Sequence, residues 1–240
     1  MVGRMMGLRR LADSRRPNSL ADRMRTRRFE LFERLLAEVP EPRRIIDVGG
    51  TPEFWVARGY GGRTGTTIFL VNLERFEVRH HNLASVVGDA VDLRAFGEHE
   101  FDIAFSNSVI EHLETRDRQF AAAAEIRRVS QRHWVQTPNY WFPIEPHFLT
   151  PGYQFMPLAV RRELLLRTGL GHYRQAKSRD EADSVVRQIR LMSGRELREA
   201  FPGSRLWRER FLGLTKSWVV LGGWMSAAEI LRADPPDQRS

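Results

Sequence analysis

Seven histidines and no cysteines set the limits on what this chain's side chains can do. Without thiols there is no disulfide, no thiolate metal site and no cysteine nucleophile, which leaves imidazole as the natural proton acceptor near neutral pH. Two histidines keep company that suits acid–base work. His112 directly follows Glu111, and His147 lies in Pro143-Ile144-Glu145-Pro146-His147-Phe148. Each follows a β-rich apolar run, 101–106 for the first and 133–137 for the second, so parallel pairing of those runs would carry both histidines to one sheet edge. Glu111, His112 and His147 are therefore the candidate catalytic residues. His80, His81, His99, His133 and His172 have no comparable neighbours and read as structural or surface positions.

A second group of residues could hold a ligand rather than react with one. Residues 45–48 form an apolar run that passes through Asp47 into Gly49-Gly50-Thr51, the pattern of a buried parallel strand followed by a turn whose backbone can approach a ligand closely. A β-rich run over 66–73 brings Asn72 and Glu74 to a second strand end, where a polar side chain can reach a ribose hydroxyl. Ser85-Val86-Val87-Gly88 leads to Asp89-Ala90 in the same way, and the strand at 101–106 leads to Asn107. All of these positions sit at the carboxyl ends of strands, where open α/β sheets bind ligands.

The elements that must position these groups are an alternation of strands and helices. A helix docks on the body over 18–40, marked by Ser19 and Asp22 at its start and stopped at Pro40. Pro52-Glu53-Phe54-Trp55 opens the helix after the glycine turn, and only a short helix fits between the second and third strands. An alanine-rich helix spans 115–129. Helices are also expected at 157–168 and 193–201, with a polar, irregular surface excursion over 171–188. Runs at 206–211 and 217–221 alternate well enough for a closing hairpin. The sum is a doubly wound, mostly parallel seven-stranded α/β sheet with an antiparallel terminal hairpin. Pro138, Pro143, Pro146, Pro151 and Pro157 fall among Tyr140, Trp141, Phe142, Phe148, Tyr153 and Phe155, which reads as an ordered loop. Its aromatic residues either wall a flat acceptor or form the core of the lid itself.

At 240 residues and 42% hydrophobic, the chain is expected to form a single domain over 18–232, with a basic arm at 1–17, a lid and substrate-side insert at 138–190 and a tail at 233–240. The net charge of +8 is unevenly placed. Residues 1–28 hold nine arginines against Asp13 and Asp22, and the rest is nearly neutral at 29 basic against 28 acidic residues. The excess reads as an arm, either a solvated leader or a contact for phosphates or anionic head groups. No apolar run approaches membrane-spanning length and no signal-peptide pattern is present, so a soluble, cytoplasmic protein is expected.

The series Asp47-Val48-Gly49-Gly50, Asn72, Gly88-Asp89-Ala90, Ser106 to Leu113 and Thr137-Pro138-Asn139 resembles the class I S-adenosylmethionine-dependent methyltransferases, a Rossmann-like family. It is most similar to the small-molecule branch related to quinone-biosynthesis methyltransferases. The resemblance implies S-adenosylmethionine as cofactor, with Asp47, Gly49, Gly50 and Thr51 near its methionine part. It further implies Asn72 or Glu74 at the ribose, Asp89 and Ala90 at the adenine, and Asn107 on the floor of the site. Two positions depart from the family pattern: the turn lacks a third glycine, and Asn72 stands where an acid is usual. Some relatives gather a Glu-x-x-Glu-His stretch and a later His around a divalent ion. Here Ser108 replaces the first carboxylate, so no metal is expected. The function implied is methyl transfer to a small-molecule acceptor, at oxygen before nitrogen or carbon, with no nucleic acid bound by the body. The alternatives are a nicotinamide-dependent oxidoreductase, or a nucleic-acid- or membrane-associated protein using its arm.

Overall fold

The computed structural model describes residues 20–225. The arm at 1–17 and the tail at 233–240 lie outside the described residues. Seven strands form one sheet in the order β3-β2-β1-β4-β5-β9-β8. These are β1 (Arg43–Val48), β2 (Thr66–Asn72), β3 (Leu83–Val87), β4 (Phe101–Asn107), β5 (Ser130–Pro138), β8 (Arg205–Phe211) and β9 (Leu214–Gly222). Five are parallel, and β9 inserts antiparallel to β5, pairing Pro138 with Ser217. The chain turns outward from β1 to β2 and β3, then crosses back to β4 on the other side of β1. The crevice between β1 and β4 is thus the topological switch point, where such sheets bind ligands.

The central strands are apolar on both faces, and each face is covered. On one face α1 (Leu20–Leu36) and the short α2 (Pro52–Val56) lay Phe32, Leu35 and Trp55 against Phe105 and Trp134. On the other, α3 (Arg116–Val129) and α6 (Gly194–Ala200) cover Phe101, Val135 and Trp218. Local chemistry fixes the helix starts. Thr115 Oγ1 accepts from the Arg118 amide at 3.3 Å, and Ser193 with Glu196 forms a reciprocal capping box.

Three expectations are corrected. No helix links β2 to β3: residues 73–82 cross as turn and coil, held where Asn82 donates to the Tyr60 and Thr66 carbonyls. The 171–188 stretch is not merely an excursion. Ser178 caps α5 (Arg179–Arg187), and Ala182 and Val186, one turn apart, are buried with Phe148, Tyr153 and Leu165 of the insert. Leu165 belongs to α4 (Leu158–Arg167). The insert therefore has a core of its own, with the rings of Phe148 and Tyr153 stacked at 4.1 Å. Finally, the hairpin turn is tight, because β9 begins at Leu214 rather than Ser217.

Candidate active site

The glycine turn is bound down by its own surroundings. Gly49, at φ +82°, donates its amide to the Val71 carbonyl at 2.7 Å. A side chain at Gly49 would run into Val109, and one at Gly50 would run into the Asp47 carboxylate. The missing third glycine is thus no loss of freedom here, since these two make room for the protein's own groups. Asp47 is buried and accepts from the Trp55 indole at 2.7 Å. Burial pushes its pKa up to about 7, against the lowering effect of that hydrogen bond. Thr51 precedes α2 without a side-chain bond to it. Asn72 donates to the Gly50 carbonyl at 3.3 Å and accepts from the Leu73 amide, while Glu74 is exposed. Asp89 pairs with Arg118 of α3 at 2.8 Å, and Ala90 packs against the second core.

Asn107 lies elsewhere than on an open floor. Its carboxamide oxygen accepts from Arg28 at 3.2 Å, at the mouth of a pocket enclosing about 220 Å³ between α1, α2 and the end of β4. Arg25, Arg28 and Arg58 line that pocket with Phe29, Phe54, Phe105 and Trp134. Arg28 also makes a buried pair with both carboxylate oxygens of Glu209, at 3.1 Å each. Burial, and after it the fields of Arg25 and Arg28, lower the Arg58 pKa, so the pocket carries a cationic field that an anion would relieve. These arginines were not foreseen as site residues. Arg25 and Arg28 fall in the stretch taken as an arm, yet their spacing of three on a helix puts both on one face.

Beyond β4 the backbone turns through Ser108, a non-glycine residue at φ +58° whose hydroxyl donates to the Gln136 side chain at 2.8 Å. A single 3-10 turn (Ile110–His112) follows. It places Glu111 in the interior, where one carboxylate oxygen accepts from Thr137 at 2.9 Å and the other, Oε1, is buried with no hydrogen-bond partner. Burial raises the Glu111 pKa, against His147 and Thr137. The His112 and His147 rings meet edge to face with centroids 5.1 Å apart. One donor atom each from Glu111, His112 and His147 can lie within 4.8 Å of the others. The loops after β4 and β5 thus bring together all three candidate catalytic residues.

The fourth member was missed. Glu145, buried, accepts from His147 Nδ1 at 2.7 Å and from the His147 and Phe148 amides at 2.7 and 2.6 Å. The signal was present as an acid two residues before His147, with Pro146 between to fix the turn. Burial alone would lower the His147 pKa, but the hydrogen bond and charge of Glu145, with Glu111, raise it overall. His112, without such a partner, is lowered to about 4, first by burial and then by His147. The arrangement offers a carboxylate-buttressed imidazole, a neutral imidazole and a carboxylate oxygen with spare lone pairs. It is the donor chemistry of a proton relay or of a two-histidine, one-carboxylate ion site with open positions. Ser108, in the place of a first carboxylate, is engaged with Gln136.

Residues 50–133 match the model of a methyltransferase domain family. Over 64 residues the chain is 36% identical to an uncharacterized protein of Mycobacterium tuberculosis, a match that covers 27% of this chain and 22% of that protein's length. Among solved structures, a candidate Zn-dependent alcohol dehydrogenase from Rhodobacter sphaeroides superposes at TM-score 0.52 and 10% identity, over 79% of this chain and 86% of that one. A candidate methyltransferase from Haloferax volcanii, solved with its Trm112 activator, superposes at 0.47 and 14% identity over 88% and 94% of the two chains. At these identities the likenesses concern the fold alone. The domain match and the sheet order classify the chain as a class I S-adenosylmethionine-dependent methyltransferase.

Proposed function

We propose that this protein transfers a methyl group from S-adenosylmethionine to a hydroxyl oxygen of a small acceptor seated over Glu111, His112 and His147. The observation that carries the reading is the convergence of these three side chains at the carboxyl edge of the sheet, around a buried carboxylate oxygen without a partner. The residues present fit the cofactor. The Arg25, Arg28 and Arg58 pocket suits its carboxylate, the aromatic walls suit the sulfonium, and Thr51, Asn72, Glu74, Asp89 and Ala90 flank the strand ends where ribose and base would lie. Bound there, the cofactor supplies an electrophilic methyl group on sulfur.

The chain's task is then to orient the acceptor and take its proton. His147 Nε2 is the acceptor of that proton, because Glu145 fixes the opposite nitrogen and stabilises the imidazolium that forms. His112, neutral at pH 7, holds the acceptor oxygen in line. The unpartnered Glu111 oxygen favours a second reading of the same cluster, in which Glu111, His112 and His147 hold a divalent cation that acidifies the acceptor hydroxyl. The quinone-biosynthesis resemblance favours a flat, phenolic acceptor. The oxidoreductase alternative rests on fold likeness alone.

S-adenosylhomocysteine at saturation is expected to raise Tm by several degrees through mass action. A rise with NAD and none with S-adenosylhomocysteine would replace this reading by the oxidoreductase. Chelator-treated protein separates the two catalytic versions. Turnover that persists without metal supports the His147 base, and turnover restored only by added Zn²⁺, Mn²⁺ or Mg²⁺ supports the ion site.

A further inference from the structure

One exposed feature is not used by methyl transfer. The tip of the β8–β9 hairpin carries Leu212 and Leu214 at 83% and 51% exposure, and the loop after β5 carries Trp141 and Phe155 at 66% and 46%. The two stretches adjoin. Asn139 bonds to the Lys216 and Thr215 carbonyls, and the Phe142 and Phe211 rings lie 6.4 Å apart between them. The Trp141 and Phe155 rings are stacked at 5.8 Å, side by side rather than folded inward. Because β5 runs up to Pro138 opposite Ser217, the hairpin tip projects beyond the carboxyl ends of the parallel strands, on the edge that carries the glycine turn and Glu111.

The surrounding charge is of one sign. In the hairpin Arg205, Arg208, Arg210 and Lys216 face a single acid, Glu209, which is buried against Arg28. Helix α1 begins at the same place, with the Lys216 ammonium 3.5 Å from the Met24 sulfur. The sequence leading into α1 holds five arginines and one aspartate over residues 1–19. Aliphatic and aromatic side chains thrust into solvent and ringed by arginine are what a bilayer with anionic head groups accommodates: tails take the leucines, the interface takes tryptophan, and phosphates take the guanidinium groups. A nucleic acid would use the arginines and leave Leu212 and Leu214 in water.

We propose that the hairpin tip, the Trp141–Phe155 loop and the basic segment before α1 dock this protein on an anionic membrane surface. The active-site edge then faces the bilayer, and acceptors reach it from there. Docking of this kind is peripheral, since among the described residues no helix is long and apolar enough to cross a membrane.

The test is co-sedimentation of the full chain with vesicles. Binding is expected to phosphatidylcholine vesicles containing a quarter phosphatidylglycerol, weakened several-fold between 0.1 and 0.5 M salt, and much less to pure phosphatidylcholine. Leu212→Glu with Leu214→Glu should lower the partition coefficient by tenfold or more at unchanged Tm. Should that variant unfold, quenching of wild-type tryptophan fluorescence by brominated phosphatidylglycerol, lost in Trp141→Phe, is the supporting result. Any of three results overturns the proposal: no binding to anionic vesicles and no quenching, vesicle binding indifferent to the leucine charges in a folded variant, or an apolar tip that instead closes a dimer in solution. RNA binding that matches or exceeds vesicle binding and ignores the tip variant also overturns it.

Discussion

The two halves of the ligand edge hold their polar groups in opposite ways. At the ends of β1 to β3 the side chains are spent on the protein: Asp47 on Trp55, Asn72 on the Gly50 carbonyl, Asp89 on Arg118. At the ends of β4 and β5 they converge with capacity left over, Glu111 Oε1 without a partner and two imidazoles edge to face. The first half is a rigid bed whose backbone and flanking arginines meet a ligand of fixed shape. The second is a set of groups poised to exchange protons or ligands. A buried carboxylate therefore means different things in the two places. Asp47 is satisfied by an indole and stabilises a turn, whereas Glu111 pays a desolvation cost that only a ligand offsets.

The largest effect should separate chemistry from cofactor binding. His147→Ala is expected to slow turnover by about 10² to 10⁴-fold, the usual weight of a general acid–base group, while S-adenosylhomocysteine still raises Tm. Loss of both together would make the two halves one unit and erase the contrast. Glu145→Gln should cost less and move the acid limb of the rate profile to lower pH, because the group that raises the His147 pKa is weakened. An unmoved limb would remove His147 as the base.

Next is stability. Asp47 has its folded pKa raised to about 7, so between its unfolded value and pH 7 the folded state binds the extra proton. Stability should therefore fall as pH rises from about 4 to about 7 and level off above, by at most about 4 kcal/mol for a shift near three units. Asp47→Asn, measured by denaturant unfolding, should flatten that dependence and leave turnover measurable. A variant as pH-dependent as the wild type would place the titration elsewhere. The smallest effect is at the pocket. Arg25→Gln should weaken S-adenosylhomocysteine about three- to tenfold with little change in stability, since Arg25 pairs only with a neighbour on its own helix, Asp22, at 3.4 Å among the contacts described. Unchanged affinity would take the methionine end of the ligand out of the arginine pocket.

Much of this was legible beforehand, for reasons that differ by element. The β1, β4 and β5 runs are apolar on both faces, so their identity survives without alternation, and the closing hairpin alternates well enough to show its direction. The pairing of Glu111-His112 with His147 followed from strand order alone. What stayed hidden depended on distance in the chain. Arg28 reads as part of a charged leader until Glu209, 181 positions away, is seen to receive it. Helix α5 shows only Ala182 and Val186 as apolar anchors among charges, too few for its period to stand out. Glu145 was in plain view, but its role depends on a loop geometry that proline spacing suggests without specifying.

The Arg28–Glu209 pair also governs when the molecule can be finished. At about 5–20 residues per second, a ribosome needs on the order of 10–40 s to travel from one partner to the other. For that interval α1 has emerged without the strand that neutralises it, and the arginine pocket has only two of its walls. The nascent chain must therefore hold its N-terminal helix loosely until the hairpin arrives, and a chain released before β8 would leave a guanidinium with nothing to bury against. Closing the pocket is a late event of synthesis, so a cofactor that fits it would meet its site only once nearly all of the described chain has been made.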